Sequence, residues 1–292
     1  MKTGIRQAYS SATDAYEAAQ EFYKSVAQTD MVLVMFFCSA DYDLKTLAAE
    51  LSRLFAGIQV IGCTTAGEIG PGGYREHGLA GASFAAEACT AVSGSIDNLQ
   101  SFEISDGQAL GQRLLQELEL IAPQANPDNS FALLLVDGLS VREESVARAL
   151  QSALGKVPLT GGSAGDGLDF HTTHVYVDGN FRSNCATLTV ITTPLPFTVF
   201  KTQHFVSTDQ RLVITAADTA TRVVNEINGL PAAQEYARLL GVNSCELSPT
   251  CFAASPVVVL IDGNNYVRSI QKVNADGSLT FYCAIEEGLV LR

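Results

Sequence analysis

Two small-residue strings hold the most chemically suggestive residues of this 292-residue chain: GCTTAGEIG at residues 62–70 and TGGSAGDG at 160–167. Small residues directly after a strand let the backbone turn sharply and approach a neighbour or a ligand closely. Two readings are open. The loops are tight turns that pack on each other, or the amides and side chains of Gly62, Cys63, Thr64, Thr65, Gly161, Gly162, Ser163 and Gly165 line a small-molecule pocket. Neither string is a P-loop or a dinucleotide fingerprint, because the Gly-Lys-Ser/Thr ending and the G-x-G-x-x-G spacing are both missing. Cys63 at a strand end is where a thiol nucleophile could sit, but that chemistry needs a base or a neighbour that lowers the thiol pKa. His77 is the nearest histidine in sequence, and no cysteine-hydrolase signature surrounds the pair; a packed cysteine is the alternative.

The other histidines are His171, His174 and His204. In FHTTH the spacing of three puts His171 and His174 on opposite faces of a strand, which argues against a shared metal. In FTVFKTQHFVST, Phe200, Thr202, His204 and Val206 would share one strand face. A lone imidazole in such surroundings suits an axial haem ligand, and suits a satisfied semi-buried histidine equally well. Cys245 and Cys251 supply only two thiols, and no carboxylate pair or triad presents itself.

The elements that position these residues recur. Ser10–Ala27 reads as a helix. Met31–Phe37 (MVLVMFF) reads as a strand covered on both faces, 42–56 as an amphipathic helix capped near Gly57, and Ile58–Ile61 as the strand feeding the first loop. The same grammar returns with Phe131–Val136, a helix closed by Gly155, and Val157–Leu159 feeding the second loop. One constant offset superposes Gly57 on Gly155, Thr65 on Ser163, Ala66 on Ala164, Gly67 on Gly165 and Glu68 on Asp166. This implies an internally duplicated βαβ-like unit, about 30–97 and 130–192. Each unit continues into antiparallel strands: Gly78–Phe84 and Thr90–Ser95, then Thr173–Val177 and Cys185–Thr192, the last two joined by the hairpin turn Asp178-Gly179-Asn180. A Pro-containing break at 193–196 divides residues 1–193 from a strand-rich α+β domain at 194–292. That domain is expected to hold a helix from about Ala220 to Ile227, a second at Ala232–Leu240 and several strands. The expected class is mixed α/β.

Eighteen basic against 31 acidic residues give a net charge of −13, and no basic stripe exists to neutralise phosphates, so nucleic acid and anionic membranes are excluded as partners. The mean hydropathy is +0.17, yet the longest apolar run is far shorter than the roughly 20 residues that cross a bilayer. The N-terminus lacks a signal-peptide core, and seven cysteines without a C-x-x-C pair suit a reducing compartment, so a cytoplasmic location is expected.

MVLVMFFCSADYD, GIQVIGCTTAGEIGPGGY, VPLTGGSAGDGLDF and THVYVDGNF together resemble the N-terminal FIST domain, and VITAADTATRVVNEINGLPAAQEYARLLG and NNYVRSIQKVNADGSLTFYCAIEEGLVL the C-terminal one. The resemblance implies a non-enzymatic sensory module that signals to a histidine kinase or a cyclic-di-GMP enzyme. Amino acids and related metabolites are the ligands proposed for the family, and a homodimer is an open alternative for the assembly. LPFTVFKTQHF is similar to the nitric-oxide-sensing, haem-binding NosP subgroup. That implies a haem whose iron is held by His204, with His171 and His174 as alternates. It also implies that the C-terminal domain here is incomplete. The remaining alternatives are a haem-free metabolite sensor and a thiol enzyme using Cys63.

Overall fold

The computed structural model describes residues 4–167, 169–202, 205–261 and 263–292. Two compact units divide the chain, Met1–Phe200 and Lys201–Arg292.

The first unit is one topology used twice. Its first half runs β1 (Ile5–Ser10), α1 (Ala15–Val26), β2 (Met31–Ser39), α2 (Leu44–Leu54), β3 (Gln59–Thr65), the small hairpin β4 (Glu68–Gly70) and β5 (Gly73–Arg75), then β6 (Leu79–Ala85). Its second half runs β7 (Thr90–Asp97), α3 (Ile104–Ile121), β8 (Ser130–Val136), α4 (Glu143–Leu154), β9 (Leu159–Ser163), the hairpin β10 (Val175–Val177) and β11 (Asn180–Arg182), then β12 (Cys185–Thr192). The sheets are ordered β1-β6-β2-β3 and β7-β12-β8-β9, so both halves use the order first, fourth, second, third strand. The recurring unit in the fold therefore includes a leading strand and helix, β1–α1 and β7–α3, ahead of the βαβ core. The hairpins differ in use. β4 and β5 pair only with each other, whereas β10 crosses to the first sheet and pairs antiparallel with β3, Val175 opposite Cys63 and Tyr176 opposite Gly62.

Alternate residues of each central strand explain the layering. Val34, Phe36 and Cys38 face α1 and α2 through Ala18, Phe22, Leu47 and Leu51. Leu134, Val136, Leu188 and Val190 face α3 and α4 through Leu110, Leu114, Val146 and Leu150. The opposite faces meet each other, with Leu33 and Ile61 near Ile191, and Cys63 and Val175 near Leu135 and Cys185. The result is helix, sheet, sheet, helix, in which MVLVMFF is buried on both faces as its continuous apolarity requires. Asp14 and Asp43 cap α1 and α2 by accepting from backbone N–H groups, and Gly155 closes α4 at φ +60°.

The second unit is an antiparallel sheet with two α-helices. It comprises β13 (Leu212–Asp218), β14 (Val223–Ile227), β15 (Leu230–Pro231), α5 (Ala232–Leu240), α6 (Pro249–Ala254), β16 (Val257–Ile261), β17 (Asn264–Arg268), β18 (Ile270–Val273), β19 (Leu279–Phe281) and β20 (Val290–Leu291). Its core gathers Ile214, Val224, Tyr236, Phe252, Val259 and Phe281. The helix expected over Ala220–Ile227 is instead strand β14. The β-branched pair Val223-Val224 and the left-handed turn Asn228-Gly229, at φ +53° and +75°, make a hairpin into β15. The strand expected around residues 197–206 is not formed among the described residues there. Among the described residues, no helix is long and apolar enough to cross a membrane.

Candidate functional site

Parallel pairing of β2 with β3 and of β8 with β9 brings both small-residue loops to the carboxyl ends of their strands, with Ser39 opposite Thr65 and Val136 opposite Ser163. There the two loops meet directly. Gly165 donates its N–H to the Thr64 carbonyl at 2.9 Å. The Thr64 N–H reaches the His174 carbonyl at 2.9 Å, and the His174 N–H returns to Thr64 Oγ1 at 3.0 Å. A Cβ on Gly165 would lie 3.3 Å from the Ala66 nitrogen, so glycine sets how closely the loops approach.

Each candidate residue now has a place. Gly62, Cys63 and Thr64 are buried in strand pairing, while Gly161, Gly162 and Ser163 lie exposed along β9. Of the eight loop residues expected to line a pocket, Thr65 lies on the wall of the cavity, of about 400 Å³, where the loops converge. Ser39, Asp41, Thr65, Tyr74 and Glu76 come from the first half, and Asp166, Gly167 and Asp169 from the second. Asp166 shapes its wall by accepting the N–H groups of Phe170, His171 and Thr172 at 2.7–3.0 Å. Tyr74 lies across the first loop, its hydroxyl donating to the Ala66 carbonyl at 2.8 Å. Any side chain on Gly67, at φ +154°, would strike the tyrosine ring.

Beneath the cavity Thr65 Oγ1 donates to Glu68 Oε1 at 2.6 Å. Glu68 is 2% exposed, and its Oε2 has no hydrogen-bond partner among the described residues. Burial pushes its carboxyl up to about 7, against the opposing Thr65 bond, and the Asp41 charge adds to the rise. Asp137 is a second buried carboxylate, at the end of β8. It accepts from the Leu139 N–H at 2.9 Å, from Thr173 Oγ1 and from the Asn184 N–H, tying the start of β10 and β12 to the loop. Sequence reasoning singled out neither carboxylate, although the superposition of Glu68 on Asp166 already marked both loops as ending in an acid.

The thiol reading of Cys63 loses its chemical basis, since burial pushes that thiol up to about 12 and leaves it protonated at neutral pH. His77 sits instead against the Tyr42 ring at 4.4 Å, with Nδ1 3.7 Å from Asp41. His171 is exposed; His174 is half-buried, and burial lowers its pKa. Neither lines this cavity. His204 lies outside the described residues. Among the described residues no cluster of three or more His, Cys, Asp or Glu could hold a metal ion, and Cys251 contacts Ser248 and the Glu246 carbonyl.

Comparison with known families now bears on this arrangement. The model of the FIST N domain matches residues 32–230, and that of the FIST C domain residues 232–292. The chain belongs to the FIST family. FIST domains are small-ligand sensor domains of signalling proteins, and both halves of the cavity fall within the FIST N match. That match extends past the first compact unit, so β13 and β14 belong to FIST N by sequence yet build the sheet of the second unit. No curated protein matches the chain.

Proposed function

We propose that this FIST protein senses a small metabolite bearing a protonated amino group, an amino acid or related amine, and binds it in the cleft between the two loops. The observation that carries this reading is the lining. Asp41, Glu76, Asp166 and Asp169 surround the cleft, Ser39 and Thr65 add hydroxyls, Tyr74 adds an aromatic face, and none of the lining residues is cationic. Such a wall attracts an ammonium group and repels a simple carboxylate. The cleft also lies outside the carboxyl ends of parallel strands, where open α/β sheets commonly take ligands. An occupant touching Asp41 and Asp169 bridges the two halves of the unit. Binding then favours one loop arrangement over another, the differential a partner histidine kinase or cyclic-di-GMP enzyme would read.

Thermal-shift titration with amino acids and simple amines tests the reading, since a ligand of the folded state raises apparent stability. Amines are expected to raise the melting temperature saturably, and Asp41→Asn or Asp169→Asn to weaken binding about tenfold or more. Amines without effect, or an effect both substitutions leave intact, would sink it.

A second reading, haem-based nitric-oxide sensing, rests on the resemblance of LPFTVFKTQHF to the haem-binding subgroup. Phe205 and Val206, which directly follow His204, line a cavity of about 290 Å³ with Leu212, Tyr236, Leu239 and Leu240, which is smaller than a haem and would have to open to admit one. His204 would be the iron ligand of such a haem, and the iron would supply nitric-oxide binding. Neither His171 nor His174 lines that cavity. Haem titration should give a Soret band that His204→Ala abolishes. A flat titration removes haem and leaves the amine reading standing.

A further inference from the structure

A larger cleft opens at the opposite end of β3. The β3–β10 pairing covers only Gly62 and Cys63, and beyond it the strands part. The β10–β11 turn is held off by α2, where Ser52 Oγ lies 3.0 Å from the Tyr176 hydroxyl and donates to the Gly179 carbonyl at 3.2 Å. The space left, about 610 Å³, is of the size that takes small molecules, and Ser93, Gly94 and Ser95 of β7 with Thr187 of β12 form part of its lining.

Two features of that lining bear on a ligand. Thr187 and Thr189 alternate with Ala186, Leu188 and Val190, which pack toward the helices, so both threonines sit on the face turned toward the other sheet. Thr189 is satisfied by Ser93, Oγ1 to Oγ 2.7 Å. Thr187, one rung along and opposite Ser95, is only 4% exposed, lines the cleft, and its Oγ1 has no hydrogen-bond partner among the described residues. An unpaired buried hydroxyl costs free energy that a valine of the same shape would avoid. The second feature is Arg113 of α3, the one cation lining the cleft. Its Nη1 binds Glu117 at 2.7 Å, and its Nη2 would lie 2.4 Å from a Cβ placed on Gly94. Glycine at 94 thus allows the guanidinium to rest against the strand.

We propose that this cleft is a second ligand site, distinct from the acidic one, and that it takes a short hydroxycarboxylate. The carboxylate meets the Arg113 guanidinium and a short aliphatic body lies against Phe55, Ile58 and Val177, while a small shift of the wall opens the buried Thr187 hydroxyl to the ligand hydroxyl that completes it. The acidic cleft repels such a molecule, whereas this lining carries one carboxylate, Asp178, beside the cation Arg113.

The test is calorimetry and thermal shift on the full chain with L-lactate, D-glycerate and L-malate as probes and propionate as the hydroxyl-free control. At least one hydroxy acid is expected to bind saturably and more tightly than propionate. Thr187→Val and Arg113→Gln each weaken it about tenfold or more, Thr187→Ser keeps it, and Asp169→Asn leaves it unchanged. Without ligand, Thr187→Val is expected to melt no lower than the parent. Three results overturn the proposal: no hydroxy acid binds, binding survives both Thr187→Val and Arg113→Gln, or ligand-free Thr187→Val melts several degrees lower, which would mean the hydroxyl already has a protein partner. Failure here leaves the amine reading untouched, because its variants lie in the other cleft.

Discussion

Asp137 and Glu68 show how one residue type serves opposite purposes at the same end of the fold. Asp137 has a donor for every position it needs: a hydroxyl and two backbone N–H groups converge on it from three segments. Replacing it with Ala strips one buried hydroxyl and two part-buried N–H groups of their acceptor, and the expected loss is about 3 kcal/mol in urea unfolding. Unfolding free energy within a few tenths of the parent would refute this account of the junction. Glu68 is buried with one oxygen bare, and burial pushes its carboxyl up to about 7, above its ordinary value of 4.5. The sign follows from linkage. Between those values the native state holds more protons than the unfolded chain, so stability falls as pH rises through that window and levels off above about 7. Glu68→Gln should flatten the fall, which is up to about 3 kcal/mol, and should gain most over the parent at pH 8. Parallel stability curves for parent and variant would contradict the burial argument.

At the scale of the element, α3 is the instructive case. Its interior carries Gly107 and Gly111, each of which weakens a helix by about 1 kcal/mol relative to Ala. In the fold those glycines face α4, and a Cβ on either would come within 2.7 Å of the Ala149 or Ala153 Cβ. Close helix packing outweighs the propensity loss. Gly111→Leu is therefore expected to destabilise by about 1–3 kcal/mol despite its better helix propensity, and chemical denaturation measures it. A stabilised variant would show that the contact yields easily. Strand β14 teaches the reverse lesson. Ala220–Ile227 offers apolar residues at a spacing a helix would accept, but the Asn228-Gly229 turn and pairing with β13 and β19 satisfy its backbone in a sheet.

For the whole molecule, two units with separate cores are joined by a stretch without helix or strand among the described residues between Thr193 and Gln210. Lys201 and Arg211 flank or lie within it and are exposed. Limited trypsin digestion should cut there first and release a fragment of roughly 200 residues, the size of the first unit, identified by intact mass. First cuts inside β2, β8 or β12 would contradict the division. The family boundary near residue 231 does not coincide with this seam, so the fragment is expected to lack β13 and β14 although both lie in the FIST N match.

Much of the architecture was legible in the residues alone. Continuous apolar runs at 31–37 and 131–136 required strands buried on both faces, helical spacing with terminal glycines marked α2 and α4, and one constant offset exposed the duplication. These are local signals, carried by periodicity and backbone permissiveness. The contact of the two small-residue loops was one of two open readings, and pairing between Thr64, Gly165 and His174 shows that the loops do meet. The cleft beside those loops was not legible. Asp41, Glu76, Asp166 and Asp169 lie far apart along the chain, and only the packing of two half-units brings them around one space. The same holds for Thr187: its place on an alternating strand can be read from sequence, but the lack of a partner for its hydroxyl depends on where β3 and β10 separate. Side-chain satisfaction is a property of three-dimensional neighbours, so tertiary structure alone assigns it.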